Sequence, residues 1–184
     1  MVAAGVDFLF AATFPAVDEA IGAGAAMADT AAPFVVSLVL DREGRVLDGT
    51  PLEAAVVRID AALDRAPALL SLSCVHPSVA ALALSTGGVG ERIGEVKANG
   101  SILPTSELVK LDHAEADPPA RFADEMWALR ERFGVGVLGG CCGTDERHIA
   151  ALAERIAADG ASLSGRAGTR AGRRAPRAPA SRRR

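Results

Sequence analysis

The chain has 184 residues, enough for one domain; 49% are apolar but only 4% aromatic, so Ala, Val and Leu must fill its core. The net charge of −3 hides an asymmetry: residues 161–184 hold eight arginines and no acid, leaving twelve basic against twenty-three acidic residues, about −11, before them. There is no run of eighteen apolar residues to span a membrane, no secretory pattern at the N-terminus and no disulfide framework in three cysteines, which together point to a reducing cytoplasm.

Val6 to Phe14 is a nearly continuous apolar run, as expected of a strand buried on both faces. Pro15 ends it, and Val17 to Met27 reads as an Ala-rich helix weakened by Gly22 and Gly24. A second buried strand covers Phe34 to Leu40, followed by a polar turn at Asp41 to Gly44. Thr50 then stands as an N-cap, with Pro51 in the first turn and Glu53 completing a capping box. Leu52, Val56, Ile59 and Leu63 line one face of that helix. Leu69 to Cys74 is a third strand, Pro77 to Ser85 a third helix and Ile93 to Ala98 a fourth strand.

Ile102 to Glu115 has no clean period and reads as a long loop with a short turn. Asp117-Pro118 opens the next helix by cap-and-proline logic. Phe122, Met126, Leu129 and Phe133 face its core side, and Gly134 stops it. Val135 to Leu138 is the last strand. Thr144 caps a final helix, to Ala158, whose buried stripe is Ile149, Leu152 and Ile156. The folded body therefore covers 1–160, and 161–184, rich in Arg, Gly, Ala, Pro and Ser, is expected to be a disordered tail. Such a tail suits nucleic acid or a membrane surface. The acidic body carries no aromatic-basic surface to extend it, which argues against a nucleic-acid partner.

Strand and helix alternate five times, which predicts an α/β fold with a parallel sheet and crossover helices. An open doubly wound sheet and part of a barrel both satisfy that order. A complete eight-fold barrel needs roughly 200 residues or more, so a barrel here is a partial one of about five β/α units.

The chemistry centres on cysteine. Cys141 and Cys142 stand side by side in Gly139-Gly140-Cys141-Cys142-Gly143-Thr144, between a strand and a helix, and Cys74 ends another strand. Parallel α/β folds place their sites at that end of the strands. Zinc accepts thiolates, and a catalytic zinc keeps three protein ligands and one open position. A thiol entering the open position would lose its proton to the metal's charge and become a nucleophile. Three small buried cysteines account for the same spacing, as does a redox-active vicinal pair at Cys141 and Cys142. His76 and His148 are possible substitute ligands, but His148 reads as a surface or capping residue and His76 as a loop donor. The glycine elbow lacks the GxGxxG pattern and P-loop lysine of a phosphate site.

These residues resemble a known family. Gly139 to Thr144, followed by Asp145-Glu146-Arg147-His148-Ile149, is similar to the last zinc motif of the homocysteine S-methyltransferases. Ser73-Cys74-Val75-His76-Pro77 resembles the family's earlier single-cysteine motif, usually an Asn-Cys pair. Gly5 to Leu9 with Thr13-Phe14-Pro15, Ser37, Asp48-Gly49, Ala98-Asn99-Gly100 and Asp117-Pro118 match further landmarks. The likeness spans roughly residues 1 to 158.

It implies a (β/α)8 barrel that moves a methyl group from a small donor to homocysteine, with Cys74, Cys141 and Cys142 as zinc ligands. The donor is S-methylmethionine, S-adenosylmethionine or another methyl compound. Two departures stand out. The chain resembles strands four to eight of that barrel, so the opening strands are missing and two sheet edges are open to another chain. Ala12 stands where members usually have a Glu that helps hold the amino acid. The alternative expectation is an inactive or truncated zinc-binding remnant that needs a partner for the missing half. A thiol redox protein is a third.

Overall fold

The computed structural model describes residues 2–113 and 115–167. Its element order is β1 (Leu9–Phe14), α1 (Val17–Ala28), β2 (Phe34–Leu38), α2 (Leu52–Ala62), β3 (Leu69–Val75), α3 (Pro77–Ser85), β4 (Ile93–Ala98), α4 (Thr105–Leu108), α5 (Pro119–Phe133), β5 (Val137–Gly140) and α6 (Glu146–Ala167). The unstructured tail expected at 161–184 lies, from residue 168 onward, outside the described residues.

All five strands are parallel, and their spatial order is their sequence order. That order chooses between the two architectures. A doubly wound sheet reverses direction part-way to put helices on both faces. A sequential order with right-handed crossovers keeps every helix on one face. This is the arc of a partial (β/α)8 barrel.

Alternation along the strands divides the residues accordingly. Val36, Leu38, Leu70, Leu72 and Val96 belong to the core beneath the helices. Val35, Leu69, Glu95 and Lys97 line a cavity of about 290 Å3 on the concave face. There the Lys97 ammonium lies 3.8 Å from the Phe10 ring centre and 3.6 Å from Glu95 Oε1. Among the described residues the edges are open, since β1 and β5 each pair on one side only.

Several local expectations shift. Val6 to Phe14 was expected as a strand buried on both faces; β1 starts only at Leu9 and is half-exposed, because as an edge strand it lacks a neighbour. Thr50 does not cap α2: its N–H goes to Asp48 Oδ1 at 2.9 Å, and Pro51 takes the cap position without a side-chain bond. The buried face of α2 is as read, with Leu52, Val56, Ile59 and Leu63 all buried. Asp145, not Thr144, caps α6, its Oδ1 accepting from Arg147 N at 3.0 Å. The Thr144 hydroxyl instead donates to Cys141 O at 2.8 Å.

On α6 only Leu152 of the expected stripe is buried, while Ile149 and Ile156 are each 45% exposed. The sheet stops at β5, so α6 packs chiefly on α5. The last strand sits two residues later than read, because Gly139 and Gly140 enter the ladder opposite Lys97 and Ala98. Backbone pairing with β4 overrides glycine's low strand preference. Gly134 does stop α5, in the left-handed conformation at φ 77°.

Two long-range contacts hold the helices. The Arg65 guanidinium donates to the carbonyls of Met27, Ala28, Thr30 and Ala32 at 2.8–3.2 Å, closing the end of α1 and the loop behind it. Asp48 supplies the cap that α1 lacks locally, accepting from Val17 N at 2.8 Å. Burial raises its pKa, but the N–H groups of Val17 and Thr50 outweigh that and hold the carboxyl below its ordinary value. A carboxylate whose folded pKa is depressed stabilises above its unfolded value, near 4, and the contribution is lost as pH falls through the folded value. Asp48→Ala is expected to cost about 1 kcal/mol at neutral pH. Urea melts should show that gap closing below about pH 4.

Candidate metal centre

The three cysteines expected to form a site do converge. Cys74 is the last residue but one of β3 and sits at a bulge, where the ladder jumps between Ser73 and Val75; its φ of 54° is left-handed. A non-glycine residue pays roughly 1–2 kcal/mol for that conformation. Thr13 does the same on β1, at φ 64° beside a ladder irregularity. The bulge breaks the alternation that would otherwise turn Cys74 to one sheet face.

Cys141 and Cys142 follow β5 in a turn closed by Gly143 at φ 78°. At Gly140 a Cβ would collide with Thr144 Oγ1 and lie 2.9 Å from Thr144 Cβ, so the elbow is this tight only with glycine. Cys141 N donates to Ala98 O at 2.7 Å, and Gly100 N to Cys142 O at 2.8 Å. These bonds fasten the elbow to the end of β4.

The sulfurs lie 3.0 Å (Cys74–Cys141), 3.9 Å (Cys74–Cys142) and 4.0 Å (Cys141–Cys142) apart. A disulfide needs about 2.05 Å. An ion at about 2.3 Å from each thiolate in tetrahedral geometry puts the sulfurs about 3.8 Å apart. Two edges meet that length and the third falls short by under an ångström, so the donor set suits one soft ion.

Cys74 and Cys141 are half-buried and Cys142 is exposed, which leaves one side open to an incoming ligand. Burial pushes the Cys74 thiol up to about 12, and the neighbouring Cys141 and Cys142 sulfurs add to the rise. Burial also raises Cys141, but the hydrogen bond from Cys74 and the Cys142 backbone bring it below its ordinary value.

Neither histidine joins the three-sulfur cluster; His76 is the loop donor expected, and His148 has the expected capping role, its Nδ1 accepting from Asp145 N at 3.2 Å, but not the expected surface position. His148 is buried, not at the surface: it lies inside the first turn of α6, with Nε2 donating to Asp117 O at 2.9 Å and Nδ1 2.7 Å from Asp145 Oδ1. His76 is buried too and caps α3, its Nδ1 accepting from Ser78 N at 3.3 Å. Nε2 therefore carries the proton and donates to Asp117 Oδ2 at 3.0 Å. His76, Asp117 and Glu125 form a second cluster whose composition alone suits a cation. Arg121 already supplies the positive charge there, 3.4 Å from Asp117 and 2.9 Å from Glu125.

A cavity of about 420 Å3 opens beside Cys74, with Arg42, Glu43, Asn99 and Ser101 in its wall. Asn99 Oδ1 is buried without a hydrogen-bond partner. The sequence reading named Asn99 only within the Ala98-Asn99-Gly100 landmark and gave it no role; the structure places it just after β4, in the wall of this cavity.

Comparison with known proteins decides the lineage: the model of the family described as homocysteine S-methyltransferase matches residues 1–156. The chain belongs to the homocysteine S-methyltransferase family. It is 29% identical over 168 residues to S-methylmethionine–homocysteine S-methyltransferase BHMT2 of Mus musculus, covering 83% of this chain and 45% of that protein. The Pongo abelii BHMT2 gives 29% over 169 residues, with 83% and 45% covered. Betaine–homocysteine S-methyltransferase 1 of Bos taurus gives 26% over 167 residues, with 83% and 40% covered.

This member of the family thus spans less than half the length of the curated relatives it matches. Among its described residues no helix is long and apolar enough to cross a membrane. Ala12, where the resemblance leads one to expect a Glu, stands exposed on β1.

Proposed function

We propose that the chain holds zinc through Cys74, Cys141 and Cys142 and takes homocysteine as the acceptor of a methyl group from a small donor, yielding methionine. The observation that supports this most is the convergence of three sulfurs from two distant loops, within 4.8 Å of one another, in a member of this family. Zinc, when bound, supplies the charge that keeps an incoming thiol deprotonated at neutral pH.

The chain's own groups do the rest. The exposed flank of Cys142 admits the thiol. The cavity beside Cys74 receives the amino-acid end, where Arg42 suits a carboxylate and Asn99 Oδ1 or Glu43 an ammonium. Free thiols at this density suit a reducing compartment, the cytoplasm. S-Methylmethionine and betaine, the donors named in the relatives' descriptions, are the first to try.

Zinc content of the reduced, dialysed chain tests the reading. About one ion per chain is expected, with homocysteine displacing no zinc when it binds. A folded chain with no zinc overturns it.

A second reading, a zinc-binding remnant that needs another polypeptide for the rest of the barrel, is favoured by Ala12 and by the open edges of β1 and β5. Ala12→Glu separates the two. Improved homocysteine binding means the site was complete but for one carboxylate, and no change favours the remnant. A stable, cooperative monomer in sedimentation counts against a partner at the edges.

A further inference from the structure

The geometry points to Asp117 as the positioning residue that presets the three-sulfur site, an inference resting on the metal reading above. Asp117 lies outside α5, whose cap position belongs to Pro118, and all its polar groups are committed elsewhere. Its N–H donates to Gly100 O at 2.7 Å, and its carbonyl accepts from His148 Nε2 at 2.9 Å. Of its carboxylate oxygens, Oδ2 accepts from His76 Nε2 at 3.0 Å and Oδ1 faces Arg121 at 3.4 Å.

Three of these contacts end on residues next to, or bonded to, the segments that carry the sulfurs. His76 is two residues beyond Cys74 and anchors the start of α3. Gly100 holds Cys142 O through its own N–H at 2.8 Å. His148 fixes the first turn of α6, directly behind the elbow. The strand ends bearing Cys74 and Cys141–Cys142 are not neighbours in the sheet, since β4 lies between β3 and β5.

Backbone pairing alone therefore sets the spacing of the sulfurs only through an intervening strand. Asp117 joins the two loops directly, through imidazoles whose side chains are each 3% exposed and have little freedom to move. Cys74, already in a left-handed conformation, needs such a restraint to stay aimed at Cys141. Outer-shell groups of this kind change metal affinity about 10–100-fold when removed.

The test is chelator competition for Zn2+ by the full chain, with Co2+ absorption as the spectroscopic readout. Asp117→Ala is expected to weaken Zn2+ binding about 10–100-fold and to alter the tetrahedral Co2+ bands. Asp117→Asn, whose amide oxygen still accepts from His76 Nε2, should recover most of the affinity. His76→Asn keeps a good N-cap for α3 but is too short to reach Asp117. It should mimic Asp117→Ala, and it carries the test if that variant fails to fold. Wild-type affinity and an unchanged Co2+ spectrum in both variants overturn the role of Asp117 while leaving the three-thiol site standing. Absence of Zn2+ binding in the wild-type chain overturns the site itself, and this role with it.

Discussion

On the zinc reading proposed above, Cys142→Ser is expected to leave the chain folded and to take its zinc content from about one ion per chain to near none. The serine hydroxyl stays protonated at neutral pH and is a poor ligand for a soft ion. Structural zinc sites with four protein ligands bind with about 10–16 kcal/mol, so one thiolate is worth about 3–4 kcal/mol, or two to three orders of magnitude in affinity. Cys142 is exposed and outside the core, so the variant should melt like the metal-free wild type, within about 0.5 kcal/mol. Elemental analysis and circular dichroism on the same sample check both halves. Zinc retained at one per chain in a folded Cys142→Ser protein means that the ligand assignment is wrong.

Phe122→Ala is the second large effect, this time on stability. Phe122 is 1% exposed between α5 and the rest of the core, and its ring meets the His148 imidazole edge-on, centroids 5.5 Å apart at 90°. Truncating a buried Phe to Ala costs about 3–5 kcal/mol through lost burial and the cavity left behind. A domain has about 5–15 kcal/mol in total, and one with two open sheet edges has little to spare. The variant should therefore be partly unfolded in mild urea. Because His148 loses its wall, the α5–α6 contact behind the cysteine elbow loosens at the same time. Zinc at a hundred times its dissociation constant adds about 2.7 kcal/mol to the folded state, so metal should move the urea midpoint back most of the way. A loss below about 1 kcal/mol would mean that α6 does not depend on this contact.

The residues that were legible in the sequence are those whose signal is local. Leu52, Val56, Ile59 and Leu63 fall on one face of α2 because helical spacing requires it, and all are buried. Pro77 marked the start of α3 and Gly134 the end of α5, since each has a backbone preference that needs no partner. The caps failed where a distant residue competed. Thr50 lost its expected role because Asp48 takes its N–H, and Asp117 lost its own because the carboxylate reaches His76 instead. A residue typical of an N-cap is also a good acceptor for any buried donor, and composition does not say which donor arrives. Ile149 and Ile156 were read as buried from their spacing, but burial needs a surface on the other side, and the sheet provides none past β5.

By itself, then, the sequence determined five strand-helix alternations, a parallel sheet and three thiols at strand ends, because periodicity, proline, glycine and cysteine act over a few residues. The tertiary structure decided what depends on residues far apart in the chain. It set the sequential strand order that makes the sheet an arc of a barrel and the left-handed Cys74 that aims its sulfur at Cys141. It also set the Asp117 link across β4. Those are contacts between segments separated by 31 to 67 residues, and their energies exist only once packing has brought the segments together.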